Sequence, residues 1–255
     1  VMVIVILGVL GVMGADFIAT AFQGFSQTNS RLELYEEGKT ALVRMERELH
    51  DMLPNAICVM NGGGSCISDG SPGDEIRFGM IAENTMFQSS LVGKYQETAS
   101  ELIAVPTDIT DVNGPAAPPA GSIISIYNTS WSDFNSGSRL FSVAGVDGPT
   151  GTMTLSGNIG SPSPHQRYYV VDRAVGYRWD SATGVLLRRV VTVNTSGPAA
   201  FSATEYPLAY GVTDFNFYYA APSLARNGIV SIVFTMSKNG DNINMHKEIH
   251  VKNVP

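Results

Sequence analysis

The chain has 255 residues, a net charge of -7 and a pI near 5.0. That length suits one large domain or two small ones with a core that needs no staples. The acidic balance, without any basic run, argues against nucleic acid or anionic lipid headgroups as principal partners. Charged residues make up only 15% and glycine numbers 26, as in many exported β-rich proteins.

The first stretch, VMVIVILGVLGVMGADFIATAFQGF, carries no charge until Asp16 and none again until Arg31. A buried core helix normally shows some polar face, which residues 1–15 lack. Ala19-Thr20-Ala21 imitates a signal-peptide cleavage pattern, but the basic leader is missing. A plain transmembrane helix wants about 20 apolar residues, and a central Asp16 costs about 2.5 to 3.5 kcal/mol on insertion scales.

The helix continues through RLELYEEGKTALVRMERELHDML. Tyr35, Leu42, Met45, Leu49 and Met52 form one apolar stripe, with Gly38 its weak place. Glu36, Glu37, Arg44, Glu46, Arg47 and Asp51 read as a solvated face. Pro54 ends the helix, because it donates no amide and disfavours helical geometry at Leu53. Cys58 and Cys66 then bracket a Gly-rich spacer short enough for a disulfide, which implies an oxidising compartment; two buried free thiols are the alternative. The spacing fits neither a zinc site nor a Cys-x-x-Cys redox pair.

Past Pro54 the pattern turns to strands: EIRFGMI, ELIAV, SIISIY, GTMTLS, RYYVVDRAVGYRW, GVLLRRVVTV, VTDFNFYY, GIVSIVFTMS and NMHKEIHVK. Asp180–Gly184 and Lys238–Asp241 read as hairpin turns. Residues 106–121 have no periodicity and read as an exposed loop, within a variable insertion at about 106–137. The expected fold class is α+β, a long N-terminal α-helix packed on an antiparallel β-sheet head. Its expected parts are 1–25, a hydrophobic helix; 26–53, its amphipathic continuation; and 54–255, the β-rich head.

No catalytic motif stands out: there is no Gly-x-Ser-x-Gly, no phosphate loop and no His-Glu-x-x-His. The chain is therefore expected to be no enzyme and to hold no cofactor. His246, Glu248 and His250 share a strand face and read as polar edge residues. Asp108, Asp111 and Asn113 before Gly114 faintly resemble a calcium loop but lack the distant bidentate Glu, so a calcium ion has weak support there. In NTSWSDFNSGS, Trp131 with Asp133 and Asn135 combines a flat ring with hydrogen-bonding groups, a candidate ligand contact. Trp179 reads as packing, and the Asn-x-Ser/Thr triplets at Asn128 and Asn194 as incidental.

VMVIVILGVLG closely resembles the mature N-terminal helix of type IV pilins and type II secretion pseudopilins. On that resemblance Val1 sits about six residues into the mature protein, the uncharged part lengthens to a full bilayer span, and Asp16 falls toward the far interface, where a carboxylate is cheap. RMERELHDMLPNAICV, YRWDSATGVLLRRV, PLAYGVTDFNFYY and GIVSIVFTMSKNGDNINMHKEIHVKNVP resemble minor pilins of the MshO type, of the mannose-sensitive haemagglutinin pilus, and more distantly the J-type minor pseudopilin. The likeness is highly specific over 1–15, moderate over 42–59 and 167–255, and absent over 67–166.

The resemblance implies a structural subunit of a filament, with Val3, Ile6, Leu7, Leu10, Met13 and Phe17 facing lipid first and neighbouring helices later. Gly8, Gly11 and Gly14 allow close backbone approach. The implied partners are other minor pilins, the major pilin, the inner-membrane assembly machinery and the bilayer. The implied location is the inner membrane with the head in the periplasm, then the pilus tip. An adhesive head that binds a surface glycan fits the same architecture.

Overall fold

The computed structural model describes residues 2–62, 64–82, 92–97, 108–111, 117–161, 163–202, 204–222 and 227–251, without the side chains of 4–7, 9, 10, 12, 92, 96 and 97. It is a mixed fold of one long helix and antiparallel sheet. The expected strand at ELIAV lies outside the described residues.

Helix α1 spans Met2–His50. Every described side chain before Ser30 is exposed, so about 40 Å of helix stands clear of the head at 1.5 Å per residue. Docking begins at Ser30, inside the segment 26–53 expected to be amphipathic. The buried line is Ser30, Leu34, Gly38, Ala41, Met45, Glu48 and Leu49, with Leu42 partly buried. Tyr35, expected on that stripe, points to solvent at 50% exposure, and Leu34 takes its place. Gly38 is no weak point: a Cβ there would lie 2.4 Å from the Met245 sulfur and 2.9 Å from that of Met236. Its bare backbone lets the helix sit directly on the sheet.

The helix ends three residues earlier than expected, since β1 (Met52–Met60) runs straight through Pro54. As an edge strand, β1 can leave the proline without an amide. Asn55 at φ 59° accompanies a register break between Met52 and Ile57. The break inverts the two-residue alternation. Met52, Ile57 and Val59 therefore face one core, while Leu53, Ala56, Cys58 and Met60 face another. Burial on both faces gives the strand a continuous apolar run that a sequence reader takes for the end of the helix.

The remaining elements are β2 (Glu75–Ile81), β3 (Val92–Glu97), β4 (Asp108–Asp111), β5 (Ile123–Ile126), α2 (Trp131–Ser136), β6 (Leu140–Asp147) and β7 (Thr152–Leu155). They are followed by β8 (Arg167–Asp180), β9 (Val185–Asn194), β10 (Gly197–Pro198), β11 (Glu205–Ala209), β12 (Val212–Ala220), β13 (Gly228–Lys238) and β14 (Asp241–Val251). Strand β8 is the spine of the larger sheet. Its first half pairs with β3 and β5, its second half with β2 and β9. A separate sheet, ordered β12-β13-β14, lies under the helix.

Both expected hairpin turns form, with Asp180 opposite Val185 and Lys238 opposite Asp241. The second uses Asn239 at φ 54° and Gly240 at φ 85°, the left-handed pair that a two-residue hairpin wants. This turn also holds α1 where it enters the head. Asn239 donates to Ser30 at 3.1 Å, Arg31 to Asp241 at 2.8 Å, and Lys238 pairs with Glu33.

Within residues 106–121, expected as an exposed loop, Asp108–Asp111 form a strand with Ile109 buried, and residues 112–116 lie outside the described set. The rest of the insertion, to residue 137, supplies the expected strand at SIISIY as β5 and adds α2, burying Ile124, Ile126, Trp131 and Phe134.

One polar cluster joins helix to spine. Glu48, 4% exposed, accepts hydrogen bonds from the Tyr177 hydroxyl at 2.6 Å and from both Nε and Nη2 of Arg188, the latter at 2.8 Å. Burial, and then the Glu48 charge, raises the Tyr177 phenol above its ordinary range, so it stays a donor. Removing one partner of a buried ion pair strands the other. Glu48→Ala should therefore cost about 3 kcal/mol in urea unfolding at pH 7, while Glu48→Leu with Arg188→Met should recover most of it. A loss below about 1 kcal/mol in the single variant would show that the cluster is not structural.

Candidate functional site

Two surfaces stand out among the described residues. The first is the outward side of α1. Ile18, Phe25, Leu32 and Val43 are all exposed, and their spacings of seven, seven and eleven residues each fall within about 20° of whole turns. They make one line, flanked by Phe17 at 76% exposure, Ala21 and Phe22. That line lies roughly opposite the docked line through Leu34 and Met45. Asp16 precedes Leu34 by eighteen residues, about five turns, and so sits on the docked side, away from the apolar stripe.

Of the helix residues expected to meet lipid and neighbours, Val3, Met13 and Phe17 are exposed. The side chains of Ile6, Leu7 and Leu10 lie outside the described set. Among the described residues, no helix is long and apolar enough to cross a membrane.

The second surface is a cleft of ≈ 310 Å³ beside the disulfide. Cys58 and Cys66 are bonded to each other. Their loop leads into Ile67, Ser68 and Asp69 on one wall; Ser130, Trp131 and Ser132 at the start of α2, with Tyr219 and Ala221 at the end of β12, complete it. The walls are stitched together: Ile67 N donates to Val59 O at 2.9 Å, Gly70 N to Tyr219 O at 2.8 Å, and Ala221 N to Asp69 Oδ1 at 2.6 Å. Burial, and then the Asp69 charge, pushes the Tyr219 phenol up to about 12. It is a neutral donor at physiological pH.

The expected trio of Trp131, Asp133 and Asn135 is not assembled as a ligand site. Trp131 is 9% exposed and packs on Phe134 and Phe201, ring centroids 5.6 and 6.4 Å away. Asp133 is turned inward on its own segment, accepting from the Thr129 hydroxyl at 2.6 Å and from the Thr129 amide. Burial opposes ionisation there, but those bonds and that of Ser130 outweigh it and hold the carboxyl below its ordinary range. Asn135 is exposed and does not line the cleft. Spacing places Trp131 beside Asp133 in the chain, whereas folding places it beside Asp69 and Tyr219.

The calcium reading fails on register. Asp108 and Asp111 stand on opposite faces of β4, and the Asp111 carboxylate receives the buried Tyr168 hydroxyl. Asn113 and Gly114 lie outside the described residues. Among the described residues, no group of three His, Cys, Asp or Glu could hold a metal. His246, Glu248 and His250 share the exposed face of edge strand β14. Asn128 is buried and donates to Pro54 O at 3.1 Å.

In comparison with known proteins, the chain matches no family model, no curated protein and no solved structure.

Two results should follow from the cleft. Closing a loop of nine residues restricts the unfolded chain by about 2 to 3 kcal/mol, so Cys58→Ser with Cys66→Ser should lower stability by that amount. An unchanged urea midpoint would show that the bond contributes nothing. Trp131→Ala should cost about 3 kcal/mol or more, since it empties a packed aromatic site; a surface ring would cost under about 0.5 kcal/mol.

Proposed function

We propose that the chain is a minor pilin: a non-enzymatic structural subunit whose N-terminal helix anchors it in the inner membrane and then packs in a type IV pilus, with the head at or near the tip. The observation that carries this reading is the doubly apolar helix. Its second face, from Ile18 to Val43, has no cover in the head although it exposes Phe22 at 71% and Phe25 at 73%. Large aromatic side chains held in water in a continuous line mark a contact surface.

The motif VMVIVILGVLG at the start of the same helix and the MshO-like segments of the head supply the filament type. Assembly then proceeds by burial. Apolar helix surface leaves lipid for neighbouring helices, and Asp16, on the other side, stays out of that contact. The partners are other minor pilins, the major pilin and the inner-membrane assembly machinery.

Phe25→Asp and Leu32→Asp test this directly. Both residues are exposed and beyond the docked line, so each variant should keep the head's thermal midpoint, as surface changes cost under about 0.5 kcal/mol. Each should nevertheless abolish incorporation into surface filaments, because a carboxylate buried without a partner costs several kcal/mol. Normal incorporation with an intact head would overturn the proposal.

A further inference from the structure

We propose that the pocket between α1 and the β9–β11 pair binds a small monocarboxylate with an apolar body, of the benzoate or phenylacetate type. The pocket has a volume of ≈ 260 Å³ and is lined by Arg44 of α1, Arg188 of β9, and Tyr206, Pro207 and Leu208 of β11. Arg188 stands opposite Tyr206 in the strand pairing. Glu48 bonds to both guanidiniums without lining the pocket itself.

Charge defines one end of the ligand. The two guanidiniums share the single carboxylate of Glu48, whose remaining donor is the neutral Tyr177 hydroxyl, so the cluster carries one surplus positive charge. Among the described residues, no Asp or Glu lines the pocket to neutralise it. Arg188 is fixed by Nε and Nη2, whereas Arg44 gives only Nε, at 3.4 Å. Among the described residues, both Nη groups of Arg44 are without a partner, on a side chain 46% exposed. A guanidinium fork matches the two oxygens of a carboxylate in its own plane. A phosphate dianion would bring a second negative charge toward Glu48 with no second cation to offset it.

Strand β11 defines the other end. The Tyr206 ring, Pro207 and Leu208 form an apolar wall beside the guanidiniums, and a ligand without an apolar body leaves that wall in water. The volume lies just below the roughly 300 Å³ at which small-molecule sites usually begin, which suits one ring. Glu48 holds Arg188 in place before any ligand arrives, which lowers the ordering cost of binding. This inference does not depend on the filament reading: it concerns the head, whatever the helix assembles with.

The test uses the full chain in a nonionic detergent at low salt, with the detergent alone as blank. Saturation-transfer NMR and calorimetry are run with benzoate, with acetate and benzyl alcohol as probes of each end alone, and with inorganic phosphate as the dianion. Benzoate should bind with a Kd on the order of 1 mM, since one small ring meets few groups. Acetate and benzyl alcohol should each bind at least fivefold more weakly. Arg44→Gln leaves Glu48 its bonds from Arg188 and Tyr177, and Tyr206→Ala alters a residue 56% exposed. Each should weaken benzoate binding at least fivefold with the thermal midpoint unchanged. Absence of saturable benzoate binding, benzyl alcohol or phosphate binding as tightly as benzoate, or benzoate binding indifferent to both variants would each overturn the proposal.

Discussion

A single helix cannot bury two opposite apolar faces in one head. Helix α1 is built from both, and the rest of the structure follows from how they are divided. The inner line, from Leu34 to Leu49, closes the core between the two sheets, and Gly38 removes the side chain that would otherwise hold the helix off Met236 and Met245. The outer line stays in water. Neither face could be exchanged for the other, because Glu48 must meet Tyr177 and Arg188, and Arg31 must meet Asp241. These polar contacts fix the rotation of the helix about its own axis, a choice that non-directional apolar packing leaves open.

The strands were legible where one period or one turn decided them. β8, β9, β12 and β13 fall within a residue or two of their apolar runs, and the two hairpin turns follow from Asp180–Gly184 and Lys238–Asp241. Reading failed where burial on two faces erased the period. Met52 and Leu53 looked like the last helical turn because β1 is covered on both sides. On α1 the stripe was drawn through Tyr35 instead of Leu34. The two are adjacent, and only the sheet beneath decides which of them is inside. Glu48 carries no local signal that singles it out, since its partners lie 129 and 140 residues away.

The candidate sites divide in the same way. The apolar helix was plain from composition alone, because a run without charges needs no long-range information. The cleft was half legible. Trp131 drew attention for its flat ring, but the neighbours chosen for it were those nearest in sequence. Asp133 is consumed by Thr129, whereas Asp69 and Tyr219 arrive from a loop and a strand that no local pattern connects. The disulfide, visible from its Gly-rich spacer, supplies the wall that brings Asp69 near.

If other subunits cover the outer face of α1 in the filament, solvent access at one thiol reports it. With Cys58 and Cys66 already bonded to each other, a cysteine placed at Phe25 is a single reactive thiol, and one at exposed Thr213 in β12 serves as the control. Maleimide labelling of purified subunit should modify both positions. On assembled filaments the Thr213 position should still react, while the Phe25 position should be protected at least tenfold. Equal labelling of the two positions on intact filaments would contradict it.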